Sequence, residues 1–308
     1  MRNRFAEVFY SLAEGDEKLA AIVADISPAG AMDKFRTRFP DRFINTGVAE
    51  QIMIGMAAGM AMQGMRPFAY TIATFALFRP YEFIRDDVCY QNLPVTVVGI
   101  GGGVTYSTLG ATHHALEDIN IATGLPNMRV FSPCDPYEVE VLTRWCATKN
   151  EGPVYMRLGK AGESLLGDDT SDSLSVGRVR YLRKGGKVCI IGHGPILSLA
   201  TRLSDELRSD GSEIAVASVH SLKPIDFEGL STILKSFENV IVLEECLPKG
   251  ALTDCLKALS FDIGARPRIH SFTLKDEFIH CYGTHEQLLE AHGISYGLIR
   301  ELAQSLSV

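Results

Sequence analysis

Apolar β-branched runs recur along the chain with helix-like stretches between them. This is the pattern of strands buried on both faces alternating with helices, so the sequence predicts an α/β fold with parallel sheets rather than a sandwich or a helical bundle. In the first half the runs place strands at 20–24, 42–46, 68–71, 95–99, 129–131 and 154–157. Helices are expected between them, at 49–63, where Gly64 supplies a glycine stop, and at 80–91. The pattern then lapses. Residues 159–177 hold four glycines, four serines and four acids with few bulky apolar groups, which reads as a linker over 161–177. It restarts with strands at 188–192, 214–219, 240–243 and 269–274 and helices at 196–207, 227–236 and 251–259. Two sheet-containing domains follow, 1–160 and 178–308.

Composition narrows the functional classes. The hydrophobic fraction is 46% and the charged fraction 22%, as in an ordinary globular chain. Thirty-seven acids against thirty bases leave a net charge of −7 with no basic block, which argues against a nucleic-acid or anionic-membrane surface. Residues 52–62 are all apolar or glycine, but about 20 such residues are needed to span a bilayer, so the segment is expected to be a buried helix. The start Met1-Arg2-Asn3-Arg4 lacks an export-type apolar run. Seven cysteines, at 89, 134, 146, 189, 246, 255 and 281, are odd in number and never form CxxC, so they are expected as reduced core thiols of a cytoplasmic protein, with no metal site.

Three segments could carry chemistry. In Asn45-Thr46-Gly47-Val48-Ala49-Glu50-Gln51 a strand feeds a helix, and Glu50 falls in the first turn. There it serves either as an electrostatic cap or, if the helix is buried, as a carboxylate that requires a partner. In Thr74-Phe75-Ala76-Leu77-Phe78-Arg79-Pro80-Tyr81 the rings at 75, 78 and 81 recur every three residues. They form a core cluster or a grip for a planar heterocycle at the C-terminal edge of a sheet. Gly99-Ile100-Gly101-Gly102-Gly103 does not fit GxGxxG and suggests instead a loop allowing close approach to the backbone. It is followed by His113-His114, of which at most one can face a given site; proton transfer suits such a histidine better than metal binding does.

At these segments the sequence resembles the transketolase and 1-deoxyxylulose-5-phosphate synthase superfamily of thiamine-diphosphate enzymes. The resemblance extends through Phe131-Ser132-Pro133-Cys134-Asp135-Pro136, Gly152-Pro153-Val154-Tyr155-Met156-Arg157, Lys223-Pro224-Ile225-Asp226 and Val242-Leu243-Glu244-Glu245. The family holds the cofactor diphosphate and Mg²⁺ with a separate domain bearing a GDG motif, and no GDG occurs in this chain. The resemblance therefore implies a pyrimidine-binding domain followed by a C-terminal domain, the second subunit of a split transketolase. Its partner would be an N-terminal subunit carrying GDG, in an α2β2 heterotetramer.

On this resemblance Glu50 matches the glutamate that bonds N1′ of the aminopyrimidine. Phe75, Phe78 and Tyr81 match the pocket around that ring, and Asp25 matches an acidic position near it. His113 matches a histidine facing substrate, and Arg157 and Arg2 match arginines that bind a sugar phosphate. Where typical members carry histidine, aspartate and serine, this chain has Gly101, Leu109 and Ala29, so the sugar-handling side is expected to be rebuilt. The implied activity is two-carbon ketol transfer, with a small-molecule ketose or 2-oxo acid as substrate. Decarboxylating carboligation of a 2-oxo acid and a non-catalytic scaffold role are the alternatives.

Overall fold

The computed structural model describes residues 1–26, 31–167 and 174–307. Twelve strands run in chain order: β1 (Leu19–Val23), β2 (Phe43–Asn45), β3 (Arg66–Ile72), β4 (Thr96–Ile100), β5 (Arg129–Phe131), β6 (Val154–Leu158), β7 (Arg180–Arg183), β8 (Val188–Gly192), β9 (Ile214–Ser218), β10 (Ser221–Lys223), β11 (Asn239–Leu243) and β12 (Arg268–Phe272). They form a seven-stranded sheet, β10-β5-β6-β4-β3-β1-β2, and a five-stranded sheet, β12-β11-β8-β9-β7. Within the two sheets every pairing is parallel except β10 with β5 and β7 with β9. The fold is therefore α/β with two mostly parallel sheets, and the ten strands expected from the hydrophobic pattern are present with their ends moved by one or two residues. The central strands β1, β4 and β6, and β8 and β9 in the second sheet, are buried along their whole length, which is why they read as unbroken apolar runs.

Two strands lie outside the expected pattern, β7 and β10. β10 is three residues long and follows β9, a strand of the second sheet, yet it pairs with β5 in the first, Ser221 opposite Phe131. The second half of the chain thus completes the sheet of the first half. The small-residue helix runs Glu50–Met62 rather than 49–63, with Ala49 as its N-cap and Gly64 in the left-handed region at φ 85°. It is not buried all round. Met53, Ile54, Ala57, Ala58 and Ala61 pack inward against β3 and β1, while Ile52 is 57% and Met62 61% exposed. Among the described residues no helix is long and apolar enough to cross a membrane. The expectation that all seven cysteines are core thiols needs correction: five are buried, Cys255 is half-buried and Cys281 is exposed.

A buried polar knot joins the two halves. The guanidinium of Arg157, in β6, donates to the carbonyls of Ala115 (3.1 Å) and Glu245 (2.7 Å), and its Nε stands 3.1 Å from Asp118. Tyr155 donates to the same Asp118 carboxylate at 2.6 Å. Glu245, just beyond β11, accepts from the Val104 N–H (2.8 Å) and pairs with His285 (2.7 Å). These contacts account for the glycine run. A Cβ on Gly102 would lie 1.7 Å from Arg157 Nε, and one on Gly103 would lie 2.3 Å from Glu245 Cγ. The backbone is approached closely there, as the sequence suggested, by buried side chains of the protein itself.

The His285–Glu245 pair makes the junction sensitive to pH. The Glu245 carboxylate raises the His285 pKa above its ordinary value, burial opposing. Burial works against the charge on Glu245, but His285 and Arg157 outweigh it and hold its carboxyl low. A histidine raised in the folded state contributes fully below its unfolded pKa of about 6.5 and loses that contribution as pH climbs through the folded value. We expect the melting temperature of the wild type to exceed that of His285→Gln near pH 6 and the gap to close by pH 9. A gap that stays constant across calorimetric scans would show that the charge on His285 is not what holds the junction.

Candidate functional site

The parallel strands of the first sheet end along one edge, and the candidate residues leave the sheet there: Asp25 after β1, Glu50 after β2, Phe75 to Tyr81 after β3 and His113 on the long connection after β4. Ligands of open α/β sheets bind at this edge. The turn that delivers Glu50 is fixed locally. Asn45 Oδ1 accepts from the Gly47 N–H (2.9 Å) and the Asp25 N–H (3.2 Å), Thr46 donates back to the Val23 carbonyl (3.2 Å), and Gly47 takes a φ of 67°. Glu50 therefore opens the helix as the acid of its first turn and is 3% exposed.

The partner that a buried carboxylate requires is Arg79, whose Nη1 lies 2.8 Å from Glu50 Oε1. Arg79 also stacks on Phe75, with its guanidinium carbon 4.1 Å from the ring centroid. Phe75 meets His113 edge-on at 5.1 Å, and His113 in turn meets Tyr106 at 6.2 Å. Glu50, Arg79, Phe75, His113 and Tyr106 thus form a continuous chain of contacts. Burial lowers the His113 pKa below histidine's ordinary value, and the charge on Arg79 acts in the same direction. The ring is consequently neutral at pH 7 and can accept a proton. Its Nδ1 lies 3.0 Å from the Thr112 hydroxyl. Of the adjacent pair, His114 is the buried one, 2% exposed, leaving His113 as the histidine at the site.

The three rings expected together divide. Phe75 turns to Arg79 and His113, whereas Phe78 and Tyr81, both half-buried, pack partly against the core. Asp25 is exposed, in the left-handed region at φ 43°, and tied by its N–H to Asn45 near the turn that carries Glu50. Arg157 is not brought to this group; it is 5% exposed and its guanidinium is engaged at the domain junction. Arg2 is half-buried, and its charge lowers the pKa of Tyr106 against the upward push of burial. Gly101 lies at φ 75° with Tyr106 packed on it, and Leu109 is 49% exposed. Ala29 lies outside the described residues. The sequence reading did not single out Arg79 or Tyr106. Arg79 had a signal, since Glu50 opening a buried helix demands a cation and Arg79 stands in the aromatic segment that follows the next strand.

Two further clusters of ligand-type residues have their atoms committed elsewhere. Asp135 and Glu138 both pair with Arg180, at 3.0 and 3.2 Å. Glu244 accepts from the Leu252 and Thr253 N–H groups, at 2.8 and 2.7 Å, and so caps the helix Leu252–Asp262.

Residues 1–162 match the transketolase pyrimidine-binding domain and residues 177–297 the transketolase C-terminal domain. The chain is 31% identical over its whole length to an apulose-4-phosphate transketolase subunit of Actinobacillus succinogenes, covering 98% of that protein. It is 32% identical over 96% of its length to a putative transketolase C-terminal section of Methanocaldococcus jannaschii, covering 92% of it. It is 34% identical over 96% of its length to the 1-deoxy-D-xylulose-5-phosphate synthase of Oleidesulfovibrio alaskensis, spanning 46% of that longer enzyme. Among solved structures, a split-gene transketolase in the form of an inactive beta4 tetramer superposes with a TM-score of 0.87 at 31% identity, covering 100% of this chain and 99% of that one.

Arg79 is expected to set the basicity of His113. In Arg79→Met the cation that lowers the His113 pKa is gone, so the ring should titrate at higher pH than in the wild type. NMR of the His113 Cε1 proton across pH 4–9 measures this, and an unmoved titration would remove Arg79 from the electrostatics of the site.

Proposed function

The chain belongs to the transketolase family, and from that membership we propose that it is the pyrimidine-side subunit of a thiamine-diphosphate-dependent enzyme that transfers a two-carbon ketol unit. In this reading a partner subunit that carries the GDG motif holds the diphosphate and Mg²⁺. The observation that carries it is Glu50, a carboxylate 3% exposed at the ligand-binding edge of the sheet, whose ion-pair partner Arg79 has a side chain 43% exposed. A buried acid beside half-buried aromatic rings suits a planar heterocycle that presents a ring nitrogen. When bound, thiamine diphosphate supplies a carbon that stabilises the carbanion left when a bond to a carbonyl carbon is cleaved.

The residues of this chain divide the remaining work. Glu50 holds a proton against N1′ of the aminopyrimidine, with Phe75, Phe78 and Tyr81 forming the apolar walls and Asp25 standing near the turn that fixes Glu50. His113, neutral and half-exposed, takes the proton of a substrate hydroxyl as a carbon–carbon bond breaks and returns it to the new hydroxyl as the next bond forms. In the net reaction the C2–C3 bond of a ketose breaks, a bond from C2 to the acceptor's carbonyl carbon forms, and the proton moves from one oxygen to the other, so no oxidant is needed. Arg157 is assigned a positioning role, holding the loop that presents His113. The seven free cysteines support a reducing, cytoplasmic setting.

The exposed side of the helix Glu50–Met62, with Ile52 at 57% and Met62 at 61%, supports burial against other subunits. We assign the complete enzyme as an α2β2 heterotetramer. A related chain forms an inactive beta4 tetramer, and this supports the view that such a chain without its partner is incomplete.

Replacing Glu50 by Gln keeps a hydrogen bond but removes the exchangeable acid, and loss of a general acid or base typically costs about 10²–10⁴-fold. Exchange of the cofactor C2 proton in the reconstituted complex, read by NMR after acid quench, should slow by that factor. Exchange at the wild-type rate would reduce Glu50 to a helix cap. The purified chain alone, titrated calorimetrically with thiamine diphosphate and Mg²⁺, should show no submicromolar binding, and tight binding without a partner would refute the split site.

A further inference from the structure

The turn that carries His113 is flanked by side chains that ketol transfer does not itself require. The Tyr106 ring fills the space beside Gly101, where an added Cβ would lie 2.2 Å from Tyr106 Cε2. Leu109 closes the turn, its N–H bonding the Tyr106 carbonyl at 2.9 Å, with its own side chain 49% exposed. Gly110, at φ 81°, leads straight into Ala111–His113. Against Gly110 lies Tyr282, delivered by the second half of the chain from the loop that precedes the helix His285–Ala291. A Cβ on Gly110 would stand 3.2 Å from the Tyr282 Cε1 and hydroxyl oxygen, yet Tyr282 is 71% exposed.

Tyr106, Leu109 and Tyr282 therefore surround the turn that leads to His113 with two rings and a branched alkyl group. The buried arginine near the turn that could greet a phosphorylated polyol is engaged elsewhere. Arg157 is committed to Asp118, Ala115 and Glu245. Lys160 is exposed and holds its Nζ 5.2 Å from the Tyr106 ring centroid, a cation–π distance. Leu109 and Tyr282 together offer one phenolic hydroxyl as their only side-chain polar atom. A polyol placed against them would leave hydroxyls unpaired, whereas an apolar tail would gain contact area.

We infer that Leu109 and Tyr282, backed by Tyr106, are specificity-determining residues that select an acceptor aldehyde with an apolar or aromatic tail. The inference rests on the ketol-transfer reading and adds the class of acceptor. Tyr282 is part of the site although it belongs to the second half of the chain, so the two halves together shape the substrate entrance.

The test uses the complex reconstituted with its GDG-bearing partner. Hydroxypyruvate is the donor, and its two-carbon unit passes to the aldehyde with release of CO₂. Benzaldehyde, hexanal, glycolaldehyde and ribose 5-phosphate are the acceptors. We expect the kcat/KM for benzaldehyde and hexanal to exceed that for ribose 5-phosphate by at least about tenfold, the scale on which apolar contacts discriminate. Tyr282→Ala and Leu109→Asp should each reduce the benzaldehyde-to-glycolaldehyde preference about tenfold, chiefly through KM. Preference for ribose 5-phosphate, or variants that leave the ratio unchanged, would overturn the inference while leaving ketol transfer intact. Absence of transfer to every acceptor would overturn the ketol-transfer reading instead. In that event saturation-transfer NMR with benzyl alcohol still decides the wall: a signal that disappears in Tyr282→Ala supports it, and equal signals from both proteins exclude it.

Discussion

Arg157 reaches from β6 into a buried interior and finds there an ion-pair partner and two acceptors: the Asp118 carboxylate at 3.1 Å and two backbone carbonyls from opposite halves of the chain. Removing one partner of such a buried pair typically costs about 3–5 kcal/mol, a large share of the roughly 5–15 kcal/mol that stabilises a domain. The carbonyl of Glu245 receives Arg157 and the carboxylate of the same residue receives Val104. The loop from Gly101 to His113 is thus pinned from the second half of the chain. The position of His113 is therefore a property of the junction, and the glycines exist to let that junction close.

The same economy governs the reactive end. A carboxylate buried at the start of a helix would be costly alone, and Arg79, stacked on Phe75, supplies the opposite charge. One cation thereby balances Glu50, orders an aromatic wall and depresses the basicity of His113 on the far side of that wall. Glu50, Phe75 and His113 are linked through a single side chain that is more exposed than any of them.

Most of this was legible in the residue order where burial is uniform. Strands such as β4 and β8, sealed on both faces, announce themselves as apolar runs, and the small-residue helix is announced by its glycines. β10 was not legible, because three residues ahead of a proline carry no periodicity and become a strand only through pairing with β5. At the site, Glu50 and His113 were visible through their neighbours and through family resemblance. Arg157 shows the limit of that method: the motif places an arginine at the right position, but only packing shows that its guanidinium is spent on the junction. Tyr282 could not have been found by motif, since its place against Gly110 depends on a loop folding back from 172 residues further along the chain.

The strand exchange at β10 also bears on the order of synthesis. During translation, β1 to β6 can assemble as soon as they emerge, but the outer edge of β5 stays open until residues 221–223 arrive. An unpaired strand edge is a template for another chain. For the interval in which some sixty further residues are made after Leu158, or about 3–12 s at 5–20 residues per second, the nascent first sheet is a natural client for a ribosome-bound chaperone.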